Sequence, residues 1–494
     1  MRVLPVAPMP NLGRLLLEKF TGFADSPALN DAGGTLTYRQ LAQTATIVEQ
    51  ALRDGRLTPD EPVIVPVANE ARDAAALLGV WLAEGVAVPV ARSAPASAID
   101  AACAACGARF SVTNATDQRI SKLAEDTPRH HPLLKEAAII VFTSGSTGRP
   151  KGVVLSHRAF AEKLEAINSI LGFTPSTRTL LVLQITFVFG MWVLLLTLLK
   201  GGTVCMHSRF EPLRILTALK DQGISDVAVV PTMLRKFLSL EESVSGPLIA
   251  QAALERILTG GEPFGRELST RLQDFIPNAR VVDIYGLTET CSSDFFLTAN
   301  EREQFAEPIG RPGPGVQFRI ADDKGRCLPA NNVGELLIRT PFIMNGYLDE
   351  PEMTRAAFVD GFFRTGDLAR AREDGRVELA GRIKDLINRG GVKVSPLELD
   401  DVLVQHPAVA AALTTGVPDA MLGERIHALV VPRANASIDE WGLRQWIGRR
   451  VEKFKLPDVY HFGIELPTGC TGKVDRNALR DQVLRNAASS QFRE

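Results

Sequence analysis

The chain carries almost no net charge. Its 55 lysines and arginines nearly cancel 57 aspartates and glutamates, leaving a formal charge of -2. No basic run of the kind nucleic-acid binders use is present, so nucleic acid is not an expected partner. No apolar stretch reaches the roughly 20 residues that a membrane-spanning helix needs; the most apolar segment, 187–199, has the length of a buried helix. Residues 1–10 lack a charged start followed by a long apolar run, so no secretory signal is expected and the protein reads as cytoplasmic. The six cysteines, at 103, 106, 205, 291, 327 and 470, are too scattered for a disulfide framework. Cys103 and Cys106 fall in an alanine-rich helical stretch with no second ligand pair nearby, and the seven histidines form no ligand-spaced cluster, which argues against structural zinc. Internal repeats and long low-complexity linkers are absent as well.

What is present is ordinary globular material in quantity. A length of 494 residues exceeds one ordinary core, and 45% hydrophobic with 23% charged residues is enough to bury large ones. Short apolar, strand-like runs at 63–67, 86–90, 180–183, 203–206, 226–230, 257–258 and 281–284 alternate with helical patterns at 36–52, 73–83, 190–199 and 211–222, with Thr37 placed to cap the first. That alternation predicts layered α/β sheets, with chemistry just beyond the strand ends. From 318 to 339 the pattern becomes short strands punctuated by glycine and proline, suggesting a small β-rich subdomain, and Asp374-Gly375 reads as a hairpin turn. Helix signals at 396–405 and 439–452 suggest a compact C-terminal unit.

The most telling segment is 141–151, V-F-T-S-G-S-T-G-R-P-K, between the strand-like runs 137–142 and 153–155. Gly145 and Gly148 let backbone approach a ligand, while Thr143, Ser144, Ser146 and Thr147 offer hydroxyls beside successive N–H donors. Lys151 adds a compact charge for phosphate oxygens. The spacing is not that of a Walker A loop, because Pro150 stands where its second glycine belongs and Gly152 follows the lysine in place of Ser or Thr. A kinase or motor ATPase reading therefore loses its main support.

With Gly260-Gly261-Glu262-Pro263, Asp283-Ile284-Tyr285-Gly286-Leu287-Thr288-Glu289, Arg364-Thr365-Gly366-Asp367, Gly381-Arg382-Ile383-Lys384-Asp385 and Thr471-Gly472-Lys473 following in order, the chain resembles the adenylate-forming superfamily. That superfamily joins acyl- and aryl-CoA synthetases, peptide-synthetase adenylation domains and luciferase. The resemblance covers nearly the whole chain and is closest in style to the acyl/aryl-CoA ligases. It implies a large N-terminal domain, 1–383, of layered α/β sheets with the β-rich subdomain, and a smaller mobile α+β domain, 384–494. The boundary comes from the resemblance, since composition does not mark it. ATP, Mg²⁺ and CoA, or a phosphopantetheine, are the implied cofactors, and a monomer or homodimer is expected.

By the same resemblance, Glu289 is the Mg²⁺ carboxylate and Thr288 touches the α-phosphate. Tyr285 would stack on adenine and Asp283 accept from its amino group, with Gly286 beside them and 260–263 walling the other side. Asp367 would grip the ribose hydroxyls, as an acceptor-only side chain can, and Arg382 would reach ribose or phosphate. Lys473 would bridge the carboxylate and the α-phosphate for one half-reaction, then leave. Lys384 falls at the hinge, where several relatives carry Asp, and Gly391 would let a pantetheine thiol pass.

Amino-acid-activating relatives place an Asp where Val188 stands, so an α-amino acid is disfavoured, because a buried ammonium would lack its counter-ion. Phe187 is then an apolar gate, and Phe189, Met191, Trp192 and Val193 an apolar wall suited to a fatty or aromatic acid. The leading expectation is an AMP-forming acid–CoA ligase, with a carrier protein or an amine as alternative acceptor. A stand-alone amino-acid adenylation domain would need an acid such as Asp294 turned into the pocket. A degenerate regulatory nucleotide binder would have little use for Glu289, Asp367 and Lys473 together.

Overall fold

The structure, a computed structural model, describes residues 11–114, 119–123, 128–144, 150–240, 242–298, 308–433, 436–469 and 473–491. Among them, three sheets carry the architecture. The largest, of 14 strands, contains the parallel series Thr203–Met206, Arg178–Leu181, Asp226–Val229, Arg256–Gly260 and Arg280–Tyr285. Every residue of Thr203–Met206 and Asp226–Val229 is buried, as strands covered on both faces must be. The second sheet, of seven strands, pairs Pro62–Val67 with Val86–Ala91 in parallel and carries the antiparallel pair Ala137–Ser144 and Pro150–Ser156.

Helices Ala71–Leu82, His157–Leu171 and Val188–Leu199 link the two sheets: the first packs on strands of both, the second on the smaller sheet and on the third, and the third on the larger. Their sequences dictate that place. Val188–Leu199 is apolar all round but for Thr197, and all of its residues except Phe189 are buried. Helix Tyr38–Asp54 opens on the expected Thr37, which forms a reciprocal capping box with Gln40.

The β-rich region does not stand apart. Gln317–Ala321, Gly334–Arg339, Phe362–Ala371 and Val377–Arg382 pair antiparallel in that order, and the last continues through Pro308–Pro312 and Phe295–Leu297 to Arg280–Tyr285. Hydrogen bonding thus runs unbroken from the β-rich strands to the central parallel strands, which places Asp367 within reach of Tyr285.

After the short turn Ile383–Asp385 the chain enters a five-stranded sheet that has its own core of Ile387, Leu399, Leu403, Ile426, Leu443 and Ile447. The helix expected over 439–452 runs only over Glu440–Gly448, capped by Asp439, and stops at a glycine, a weak helix former. No helix among the described residues is long and apolar enough to cross a membrane.

Candidate active site

Gly260 and Tyr285 end adjacent parallel strands, with Thr259 opposite Asp283 and Gly260 opposite Ile284. Open α/β sheets bind ligands beyond such carboxyl ends. The Tyr285 hydroxyl donates to Asp367 Oδ2 at 2.6 Å, and Arg382 Nε lies 2.9 Å from Asp367 Oδ1. Asp367 and Arg382 are direct partners across their antiparallel pair, so their contact follows from strand register. Burial, with the Asp367 carboxylate alongside, raises the Tyr285 phenol well above its usual pKa, so it acts as a hydrogen-bond donor.

Beyond Tyr285 the chain forms the short turn Thr288–Thr290. Glu289 is held at both ends: its carbonyl accepts from Met344 N–H at 2.8 Å, and its Oε1 accepts from the Tyr347 hydroxyl at 2.8 Å. Lys151 Nζ lies 5.2 Å from the centroid of the Tyr347 ring, within cation–π range. Strand pairing explains the grouping, since Tyr347 is opposite Val153, two residues beyond Lys151. Thr143 and Ser144 fall in a strand, opposite Lys151 and Pro150, rather than in the loop itself. Gly145, Ser146, Thr147 and Gly148 lie outside the described residues.

The C-terminal segment meets this cluster at Lys473. A Cβ placed on Gly261 would stand 2.4 Å from Lys473 Nζ and 2.7 Å from its Cε, so the lysine end occupies the space that the missing side chain leaves. Gly261 also has φ +81, a left-handed conformation that glycine adopts without strain. The next residue fastens the approach: Val474 N–H donates to Glu262 Oε1 at 2.6 Å, while Glu262 Oε2 accepts from Thr232 N–H at 2.8 Å. Glu262 thus ties the two parts of the chain together, a use its motif did not reveal. Burial lowers the Lys473 pKa, nearby Glu262 opposes the shift, and Arg382 adds to it.

On the acid side, Phe187 caps helix Val188–Leu199 and Phe189 is half-buried. The Phe189 ring stacks on Trp192, centroids 5.5 Å apart and planes 17° off parallel. Val188, Met191 and Val193 are buried, as is Trp192, whose indole Nε1 has no hydrogen-bond partner among the described residues. Asp294 makes no acidic pocket for an amino group: it is buried and bound to Lys163 at 2.8 Å. Lys384 and Gly391 are both exposed, the former in the turn between the sheets and the latter, with φ +84, in the tight turn between Ile387–Arg389 and Val392–Val394.

Sequence reasoning missed Tyr347, Thr232 and Lys163. None belongs to a motif, and their partners lie 58, 30 and 131 residues away. As for a metal, no group of three or more His, Cys, Asp or Glu able to hold one occurs among the described residues. The donor expected to hold one, the Glu289 carboxylate, is a hard oxygen ligand. It fits Mg²⁺, which takes one or two carboxylates and completes its shell with substrate phosphates and water.

Comparison with known proteins places the chain in the family of AMP-binding enzymes, to which it belongs: that family matches residues 16–348, and the AMP-binding enzyme C-terminal domain matches residues 398–473. Feruloyl-CoA synthase of an Amycolatopsis species is 30% identical over 474 residues, 92% of this chain and 95% of that protein. The fatty acid–acyl-carrier-protein ligase ScoC of Streptomyces coeruleorubidus is 30% identical over 494 residues, 94% of each chain. Among solved structures, ATP-bound MatB from Rhodopseudomonas palustris superposes with a TM-score of 0.82 at 26% identity, covering 96% of this chain and 99% of that one.

Proposed function

We propose that this enzyme activates a carboxylic acid with ATP and passes the acyl group to CoA. The observation that carries the reading is the Lys473 ammonium set against Gly261, next to the strand ends that present Tyr285 and, through it, Asp367 and Arg382. In the first step a carboxylate oxygen attacks the α-phosphorus, the bond to the bridging oxygen breaks, and pyrophosphate leaves. Lys473 and Arg382 supply positive charge where negative charge builds up. Asp367 accepts from the ribose hydroxyls, Thr288 and Lys151 hold phosphate oxygens, and Glu289 would hold Mg²⁺, whose chemistry is to neutralise phosphate charge. In the second step the CoA thiolate attacks the acyl carbon and AMP leaves. Lys473 must withdraw for this, and the turn at Lys384, between two separately cored parts of the chain, is where we place the hinge dividing 1–383 from 384–494.

For the acid, half-buried Phe189, backed by the stacked and buried Trp192, offers an apolar surface suited to an aromatic or fatty acid. An amino acid is disfavoured by Val188 and by Lys163, which already engages Asp294. ScoC, whose acceptor is a carrier protein, keeps a phosphopantetheine acceptor as the second reading. We take the enzyme to work in the cytoplasm, with ATP and CoA.

The test is acid-dependent ATP–pyrophosphate exchange across aromatic, fatty and amino acids, followed by thioester formation with CoA. Ferulate, the acid named for the Amycolatopsis relative, and other aromatic acids should lead the panel. Lys473→Ala should lose exchange while still binding nucleotide. Undiminished exchange in that variant would remove Lys473 from the mechanism.

A further inference from the structure

Lys163 and Asp294 form an ion pair shut off from water, with side chains 2% and 0% exposed, and neither reaction step described above uses it. Lys163 sits on helix His157–Leu171 with its Nζ 2.8 Å from Asp294 Oδ1 and 5.0 Å from the centroid of the Phe342 ring. The other Asp294 oxygen accepts from the Thr290 hydroxyl, which is also 3.1 Å from the Leu287 carbonyl. Asp294 N–H in turn donates to the Tyr285 carbonyl at 2.7 Å, closing the segment 285–294 into a loop with Thr288 and Glu289 at its tip.

That loop is strained. Cys291, Ser292 and Ser293 are consecutive non-glycine residues in the left-handed region, with φ of 57°, 65° and 58°. One such residue is uncommon and three in a row are costly, so they persist only where surrounding contacts over-determine the backbone. The backbone bonds Cys291 N–H to Thr288 carbonyl, 3.1 Å, and Ser292 N–H to Leu287 carbonyl, 2.7 Å, are local and would be remade in a relaxed turn. At its tip, Glu289 is held by Met344 and Tyr347; at its far end, Asp294 is tied to distant structure by Gly313 N–H on its carbonyl, 2.8 Å, and by the buried ion pair, 131 residues apart in sequence.

We propose that Lys163 and Asp294 are positioning residues for the phosphate side of the site: together they hold the strained loop and so fix where Thr288 and Glu289 project. The inference rests on those two residues meeting the phosphates and Mg²⁺, as read above.

Removing one partner leaves a buried unpaired charge and risks the fold, whereas replacing both with apolar residues often does not. The informative variant is therefore Lys163→Met with Asp294→Leu, alongside Asp294→Asn alone. In the full-length protein the double variant should keep its melting temperature, yet raise the KM for MgATP in exchange by about ten- to a hundredfold, the scale expected when a reacting group shifts by about 1 Å. Thioester formation from pre-made acyl-adenylate should stay within about threefold of the unaltered enzyme. Independently of activity, hydrogen exchange of the amides of 290–292 should accelerate in the double variant while helix His157–Leu171 keeps its protection. Unchanged KM together with unchanged exchange at 290–292 would overturn the proposal. If the unaltered protein adenylates no acid, the functional reading falls, but the exchange measurement still decides whether the pair holds the loop.

Discussion

Gly261→Ala is the substitution whose outcome the geometry specifies most closely. A methyl group there meets two penalties. The first is backbone strain: at φ +81 an L side chain costs about 1 kcal/mol. The second is contact with Lys473, whose Nζ and Cε would be 2.4 and 2.7 Å from the new carbon. An unstrained separation is about 3.5 Å, so the ammonium has to withdraw by about 1 Å. It sits at the end of a flexible side chain, so the fold need not suffer, but the charge leaves the place where negative charge develops. A displacement of that size at a reacting centre costs about a hundredfold in rate, or about 2.7 kcal/mol of barrier. Gly361→Ala separates the two penalties, because Gly361 has φ +75 with nothing within 4 Å of a built Cβ. Both variants should lose similar stability in urea titration. Only Gly261→Ala should lose ATP–pyrophosphate exchange, about a hundredfold, with transfer from pre-made acyl-adenylate to CoA nearly unchanged. Exchange within about threefold of the unaltered enzyme would refute the placement of Lys473 in the adenylation step.

Tyr285→Phe removes the hydroxyl that donates to Asp367 and leaves Arg382 as its charged partner. Losing one such bond to a charged group is worth about 1.5 kcal/mol, so the KM for ATP should rise about tenfold with kcat little changed, measured by exchange at saturating acid. His157 is buried, its Nδ1 accepts from Leu12 N–H at 3.1 Å, and burial holds its pKa down at about 4 against 6.5 unperturbed. The folded state therefore resists a proton that the unfolded chain accepts: the stability is present above pH 6.5 and is lost as pH falls towards 4, by about 3 kcal/mol in all. Thermal melts of His157→Gln across that range should show a flatter dependence than the unaltered protein.

Much of this enzyme was legible in the chain itself, because many of its determinants are local. Parallel strands buried on both faces must be short apolar runs, so 203–206 and 226–229 announce themselves. Thr37 and Gln40 form a capping box within one helical turn, and Gly260-Gly261 and Asp283 to Glu289 follow directly from strands whose ends are marked by loss of apolar residues. What periodicity and motif could not say is which distant groups close the site. Asp294 looked in sequence like a possible pocket acid, and only packing against helix His157–Leu171 turns it into half of an ion pair. Tyr347 belongs to no motif, yet sheet pairing opposite Val153 sets it under Lys151 and against Glu289. The β-rich strands read as a separate unit until edge pairing joined them to the central sheet and brought Asp367 to Tyr285. The physical reason is range: propensity, capping and turn chemistry act over a few residues. Strand register, buried ion pairs and the approach of Lys473 to Gly261 join residues from tens to more than two hundred positions apart, and only the folded chain sets them.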